Sequence, residues 1–259
     1  MTWRNPSFAH LHAARDVGVA AITPDATFVA GDEKYLIDNL PSIQFSWSNA
    51  AANHLIDVDL GAGFVTGVDR LWIPNHNITG DYYVYQDDNA GFSSATLRGN
   101  GSMTSGVDLN DDGLTPTTEQ YLRFIVTTSG AWSLGQLMFT KTITINERLQ
   151  PNWPSYLIPD VLVYPNGDSL LLGPDRRFTE YEFRDVGSVA ADLTNLEALV
   201  ADVSIHKPFL LDTAYEADDG GETLFVKLTE AVKATNDSSV PATHSRRKRV
   251  RLPMLEYLG

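Results

Sequence analysis

The chain has 259 residues, 43% hydrophobic and 20% charged, a balance that excludes a disordered polymer and suits one large or two ordinary folded domains. A formal net charge of −14 opposes attraction to nucleic acid or anionic lipid over most of the surface. There is no cysteine, which excludes disulfides, thiolate metal sites and cysteine catalysis.

The N-terminal MTWRNPSFAHLHAARDVG has no uninterrupted apolar stretch behind a basic start, and no run reaches membrane-spanning length. The expectation is a protein made in the cytosol without a secretory leader and without a membrane partner. Residues 1 to 35 read as a lead-in with one or two short strands, followed by short ordered segments at Tyr35 to Asn39 and Phe45 to Ser48. From His54 to Asn77 the pattern sharpens. Ile56, Val58 and Leu60 alternate with Leu55, Asp57 and Asp59, the period-2 signature of a half-buried strand. Gly61 and Gly63 interrupt it, and a second apolar run from Val68 to Ile73 ends at Pro74, which predicts two strands joined as a hairpin.

Tyr82 to Tyr85 predicts a further strand. Between Gln86 and Glu119, Gly, Asn, Asp, Ser and Thr predominate and predict long loops around a weak strand at residues 95–97. Within them, Gly99-Asn100-Gly101 through Gly106 reads as a flexible loop, since no helix follows to offer its N-terminus to a phosphate. Leu122, Phe124 and Val126 alternate, Gly130 turns, and Trp132 to Ile145 supplies one or two more strands. Short strands at this spacing predict a sandwich.

Pro151, Pro154 and Pro159 around Trp153 read as an extended link between domains. Beyond it, Val161 to Tyr164 and Leu170 to Leu172 flank Pro165-Asn166-Gly167-Asp168, a hairpin signal because Asn-Gly tolerates the positive φ of a tight turn. Phe178 to Phe183 makes another strand. Thr194 and Glu197 then fit a capping box, with Leu193, Leu196, Leu199, Val200 and Val203 on one side of a helix that Pro208 prevents from continuing. Phe209 to Leu211, Leu224 to Leu228 and Val250 to Leu258 read as closing strands. The expected fold is all-β: a jelly-roll β-sandwich over residues 1 to 147, then a β-sandwich-like domain with one helix over residues 148 to 259.

Several clusters could carry chemistry. Asp108, Asn110, Asp112, Gly113 and Glu119 match the spacing of a calcium loop, yet Pro116 interrupts it and no amphipathic helix flanks it. The expectation is no cofactor, with calcium there as the one alternative. Asp57 and Asp59 lie at i and i+2, a separation compatible with paired-carboxylate glycoside hydrolysis, but nothing marks a sugar cleft beside them, and a solvated rim is the preferred reading. His54 and His76 flank the predicted hairpin, and two nitrogen ligands without a third do not make a zinc site. No Gly-x-Ser-x-Gly elbow is present. No catalytic residue is assigned. Trp72, Tyr82, Tyr83 and Tyr85 could line a sugar platform or fill the core, and on alternating strands half must face inward. Arg246, Arg247, Lys248 and Arg249 form the dense basic cluster of an acidic chain. It could meet nucleic acid, which the overall charge argues against, dock on an acidic patch of a neighbouring subunit, or simply be a solvated loop.

Two resemblances follow. Trp47, Asp59-Leu60-Gly61, His76-Asn77 and the Leu122 to Phe139 segment resemble the discoidin-like, galactose-binding jelly roll, whose ligand sites lie in variable loops, so that no binding residue transfers. The helix from Asn195 to Val203, His206 to Leu211, Thr223 to Leu228 and Arg251 to Glu256 resemble the distal-tail-like β-sandwich proteins of bacteriophage tail tips and baseplates. Together they imply a structural, non-enzymatic virion component assembled in the host cytoplasm. It would join copies of itself in a ring and other tail proteins through its sandwich surfaces. The alternative they leave open is a carbohydrate-binding module that contacts host surface glycans.

Overall fold

The computed structural model describes residues 3–4, 7–13, 16, 18–25, 28, 32–47, 53–62, 67–127, 129–145, 155–158, 161–163, 169–171, 176–186, 190–202, 207–212, 215–216, 223–230, 232–236 and 248–256. In chain order the strands are β1 (Trp3–Arg4), β2 (Ser7–His12), β3 (Ile22–Pro24), β4 (Phe45–Ser46), β5 (His54–Asp59), β6 (Arg70–Ile73) and β7 (Gly80–Asp87). Next come β8 (Thr96–Met103), β9 (Leu109–Asp111), β10 (Tyr121–Val126), β11 (Ser133–Leu134), β12 (Met138–Thr144), β13 (Ser155–Ile158), β14 (Val161–Val163) and β15 (Ser169–Leu171). The last are β16 (Arg176–Val186), helix α1 (Ala190–Asp202), β17 (Phe209–Asp212), β18 (Tyr215–Glu216), β19 (Thr223–Leu228), β20 (Lys233–Asn236) and β21 (Lys248–Glu256). Among the described residues the architecture is all-β with one long α-helix, as the sequence predicts. Among the described residues no helix is long and apolar enough to cross a membrane. Contacts divide the chain into residues 11–142 on the one hand and residues 1–10 with 143–258 on the other.

In residues 11–142, five strands form an antiparallel sheet in the order β3-β5-β10-β7-β8, and β6 lies between β12 and β9 in a facing one. Ile56, Val58, Leu122, Phe124, Val126, Tyr82, Val84 and Met103 from the five-stranded sheet share one core cluster with Leu71, Ile73 and Phe139 from the other. Alternation builds this: β5 and β10 bury every second residue, so one face of the sheet is apolar and the other is not.

The segment from His54 to Asn77 is not the hairpin its sequence suggests. β5 pairs with β3 and β10, β6 pairs with β12 and β9, and residues 60–69 carry the chain from one sheet to the other. The burial patterns explain the difference. β5 is half-buried, whereas all four residues of β6 are buried, an environment that adjacent strands of one hairpin would share.

The weak strand expected at 95–97 is longer than its sequence suggests and runs through Gly99 and Gly101, read as loop, to Met103. It is β8, eight residues paired with β7, with a register shift beside Val84. Its glycines make room for neighbours: a Cβ on Gly101 would sit 2.9 Å from the Tyr82 ring, and one on Gly99 would sit 2.2 Å from Leu114 Cδ2.

In the other unit the strands run β13-β16-β21-β19-β17-β2, with β20 against β21. Phe8, Tyr181, Phe183, Phe209, Leu211, Val226, Leu252 and Met254 form its core, with Leu196 and Leu199 of α1 among them. β14 and β15 pair as the predicted hairpin, while residues 164–168 of its turn lie outside the described residues. Pro151, Trp153, Pro154 and Pro159 lie outside them too, but Ser155–Ile158, read from the sequence as part of a link, pairs with β16 as a strand. The helix starts four residues before Thr194, so Thr194 sits within it and is no N-cap; Ala190 and Ala191, strong helix formers, extend it backwards. Val200 is 37% exposed and is not on the buried side, and Val203 is outside the described residues.

Candidate functional site

Because Tyr82 and Val84 point into the core, Tyr83 and Tyr85 must point away from it. Antiparallel register then fixes what stands beside them on the outer face of the five-stranded sheet. One row across the strands is Leu55, Ile125, Tyr83 and Asn100; the next is Asp57, Arg123, Tyr85 and Leu97. None of these eight side chains is fully buried, and Leu97 is 45% exposed.

The two tyrosine rings lie 6.3 Å apart and 21° from parallel. Beside them, Arg123 grips Asp57 with both ends of its fork, Nε to Oδ1 and Nη2 to Oδ2, each at 2.6 Å, and both side chains are 23% exposed. The bond to Asp57, more than the opposing burial, raises the Arg123 guanidinium above its ordinary value. Phe92 completes the group, its ring centroid 3.9 Å from the guanidinium carbon.

Phe92 reaches that position from the turn between β7 and β8 in a left-handed conformation, φ 50°, which costs a bulky residue about 1 kcal/mol or more. The turn is held by Asp87, whose Oδ2 accepts from the Ser94 amide at 2.8 Å and whose Oδ1 accepts from the Asn89 amide at 3.0 Å. The Ser94 bond and then the Asn89 bond keep the Asp87 carboxyl below the usual carboxylate range. The Phe92 amide donates to the Asn89 carbonyl at 3.0 Å, and the Gly91 amide to Asn89 Oδ1 at 2.7 Å.

The structure separates the four aromatics that the sequence groups together. Trp72 and Tyr82 are buried, and Tyr82 donates to Asp111 Oδ2 at 2.6 Å. Burial and then that bond raise the Tyr82 phenol well above its ordinary value. Asp57 and Asp59 do face outward together, but Asp57 is held by Arg123, and Asp59 Oδ1 accepts from the Gly61 amide at 2.8 Å and Gln120 Nε2 at 2.6 Å. Neither is placed as an unencumbered acid or base. The two histidines are engaged separately: His54 between Asp25 Oδ2 at 3.2 Å and the Gly130 carbonyl at 3.0 Å, His76 through Nδ1 from the Ile78 amide at 3.2 Å.

The calcium-like spacing does not close into a cage. Asp108 Oδ1 accepts from the Asn75 amide, Asn110 lies on β9 and accepts from Arg70 Nε, and Glu119 faces Arg98 at 3.9 Å. Among the described residues no group of three or more His, Cys, Asp or Glu is placed to hold a metal. Of the basic cluster, Arg246 and Arg247 lie outside the described residues, and Lys248 and Arg249 open strand β21, paired with Asn236 and Thr235.

Arg123 and Phe92 were not singled out from the sequence. Arg123 had a signal, as the one charge within the alternating run from Tyr121 to Val126, at a position whose partner on an adjacent strand could be an aspartate. Phe92 had none: a single aromatic in a turn-rich segment does not reveal which side chain it covers.

No family model matches the chain, and no curated protein matches it. Solved structures do. Chitosan-binding module 1 from a chitosanase/glucanase of Paenibacillus sp. IK-5 is 19% identical, with 51% of this chain and 98% of that one covered and a TM-score of 0.40. The CBM32-1 and CBM32-2 domains of Clostridium perfringens ZmpB are 18% identical, with 52% and 36% covered and a TM-score of 0.41. A GH29 fucosidase of Ruminococcus gnavus is 17% identical, with 51% and 27% covered and a TM-score of 0.40. Each of these likenesses covers about half of this chain.

Proposed function

We propose that residues 11–142 form a glycan-binding module, with the outer face of the five-stranded sheet as its binding surface, and that the chain holds sugars without transforming them. The observation that carries this is the pair Tyr83 and Tyr85, side by side and outward beside the Asp57–Arg123 pair. A pyranose ring has an apolar C–H face and a polar rim. Aromatic rings on the face take the first, and adjacent carboxylate, guanidinium and amide groups bond the second. The engagement of Asp57 and Asp59 favours retention over hydrolysis. The full chain should bind on a glycan array, and by calorimetry Tyr83→Ala and Tyr85→Ala should each weaken that binding at least about tenfold, as loss of a binding hot spot does. An array on which nothing binds, or affinity that survives the double variant with its fold intact, sinks the proposal.

A second reading concerns the other unit: a structural part of a bacteriophage tail tip or baseplate, assembled in the host cytoplasm and joined through sandwich surfaces to copies of itself and to other tail proteins. Its support is that the segments carrying the tail-protein resemblance include a helix, α1, and strands β17, β19 and β21. Under it, concentrated protein forms closed multimers, and reversing the charges of Arg246, Arg247 and Arg249 blocks them. A persistent monomer, or multimers indifferent to the reversal, counts against it.

A further inference from the structure

We infer that the sheet face takes a chain of uncharged or amino-bearing sugars lying along β7, and that it turns away glycans carrying carboxylates or sulfates. This rests on the glycan-binding reading of the same face and adds the ligand's charge and the way it lies.

The charge argument begins with Arg123. Of the cations on the strands of this sheet, His54 is buried, and Arg98 reaches Thr118 at 3.4 Å and Glu119 at 3.9 Å. Arg123 is therefore the group to which an anionic sugar would turn, and one edge of its guanidinium and one face of its plane are already engaged. Its fork is spent on Asp57 through two 2.6 Å bonds, and one face of its plane lies under Phe92 at 3.9 Å. A uronate or sulfate that approached its remaining donors would meet the Asp57 carboxylate already seated beside them. It would also approach Asp59 on the same face and a unit that holds fifteen Asp and Glu against six Lys and Arg between residues 11 and 142. Like charges placed opposite one another suppress wrong partners. An amino sugar gains from the same field, and a neutral sugar is indifferent to it.

The direction of the chain comes from the rings. Tyr83 and Tyr85 stand at i and i+2 of one strand, 6.3 Å apart and within 21° of parallel. One sugar covers one ring; two consecutive sugars of a chain along β7 cover both. The flanks differ, with Asp57, Arg123 and Phe92 toward β10 and Asn100 and Leu97 toward β8. The face therefore rewards length, and a free sugar unit occupies only half of it.

The test titrates the full chain by calorimetry with hexasaccharides of glucose, xylose, mannose, galactose and glucosamine, with hexagalacturonate, and with the monosaccharide of whichever hexamer binds. Expected is binding by at least one neutral or amino hexamer, at least about tenfold tighter than its monosaccharide, with hexagalacturonate silent. Tyr83→Ala and Tyr85→Ala should each weaken it at least about tenfold while the protein keeps a cooperative melting transition. Asp57→Asn frees the Arg123 fork, and hexagalacturonate binding should then rise roughly fivefold or more. Hexagalacturonate binding to the unaltered protein as tightly as a neutral hexamer overturns the charge inference and leaves the glycan-binding reading standing. A monosaccharide as good as its hexamer overturns the lengthwise placement. Silence from every sugar takes down the glycan-binding reading and this inference together.

Discussion

Tyr82 and Tyr85 sit on the same strand, three residues apart, on opposite faces of one sheet. Tyr82 is 3% exposed, packs near Phe124 with ring centroids 6.2 Å apart, and ties its hydroxyl to Asp111. Tyr85 lies on the outer face beside Tyr83, opposite Arg123 in the register. The side chain is the same and the surroundings decide what it does: on the inside a ring is ballast with one polar anchor, on the outside it is a surface waiting for something flat to lie on it. Under the proposed function, the contrast teaches that stability and recognition are divided between the two faces of β7, so that each can be damaged without the other.

The sharpest way to break that division is Tyr82→Ala, which should cost about 3–5 kcal/mol, as loss of a buried aromatic does, and lower the melting temperature accordingly. Gly101→Ala comes next. Its new Cβ presses on the Tyr82 ring, and an overpacked site should lose about 1–3 kcal/mol by urea denaturation. Tyr83→Ala and Tyr85→Ala, at half-buried positions, should each cost about 0.5–1.5 kcal/mol, well short of Tyr82→Ala, while glycan affinity collapses. If they destabilise the protein as much as Tyr82→Ala, the outer face is a second core and the division fails.

The smallest effect is set by pH. Burial lowers the His76 pKa below its ordinary 6.5, so in the window below 6.5 the unfolded chain binds a proton that the folded one does not. This contribution to stability is therefore complete above pH 6.5 and is lost as pH falls through 6.5 toward the lower folded value. Melting curves between pH 7.5 and about pH 5.5 should show a decline that His76→Asn flattens, while glycan affinity over the same window stays level.

Much of this was legible in the residues. The alternation in His54–Asp59 and Tyr121–Val126 states both that these are strands and which side is wet, since each position is either apolar or polar. Around Tyr82, Tyr83 and Tyr85 the same logic stalls, because three tyrosines in four residues give no polarity contrast, and only the register against β10 assigns the faces. The second half of β8 reads as a loop because its glycines look like punctuation. Their reason is a ring from β7 and a leucine from a later segment, information that sits elsewhere in the chain. The crossover between β5 and β6 was missed for a related cause: two apolar runs near each other in sequence look like neighbours, and burial of β6 on both faces is a property of its partners. The Asp57–Arg123 pair, 66 residues apart, needed the sheet order itself.

That separation has a cost in time. β5 finds its second neighbour only when β10 arrives, so closure of the sheet depends on a distant segment and should proceed on the order of milliseconds to seconds in vitro. On the ribosome, at roughly 5–20 residues per second, Arg123 emerges several seconds after Asp57. Until then β5 offers an unpaired backbone edge to any other nascent chain. Its two aspartates, charged and pointing the same way, discourage such misplaced pairing in the interval.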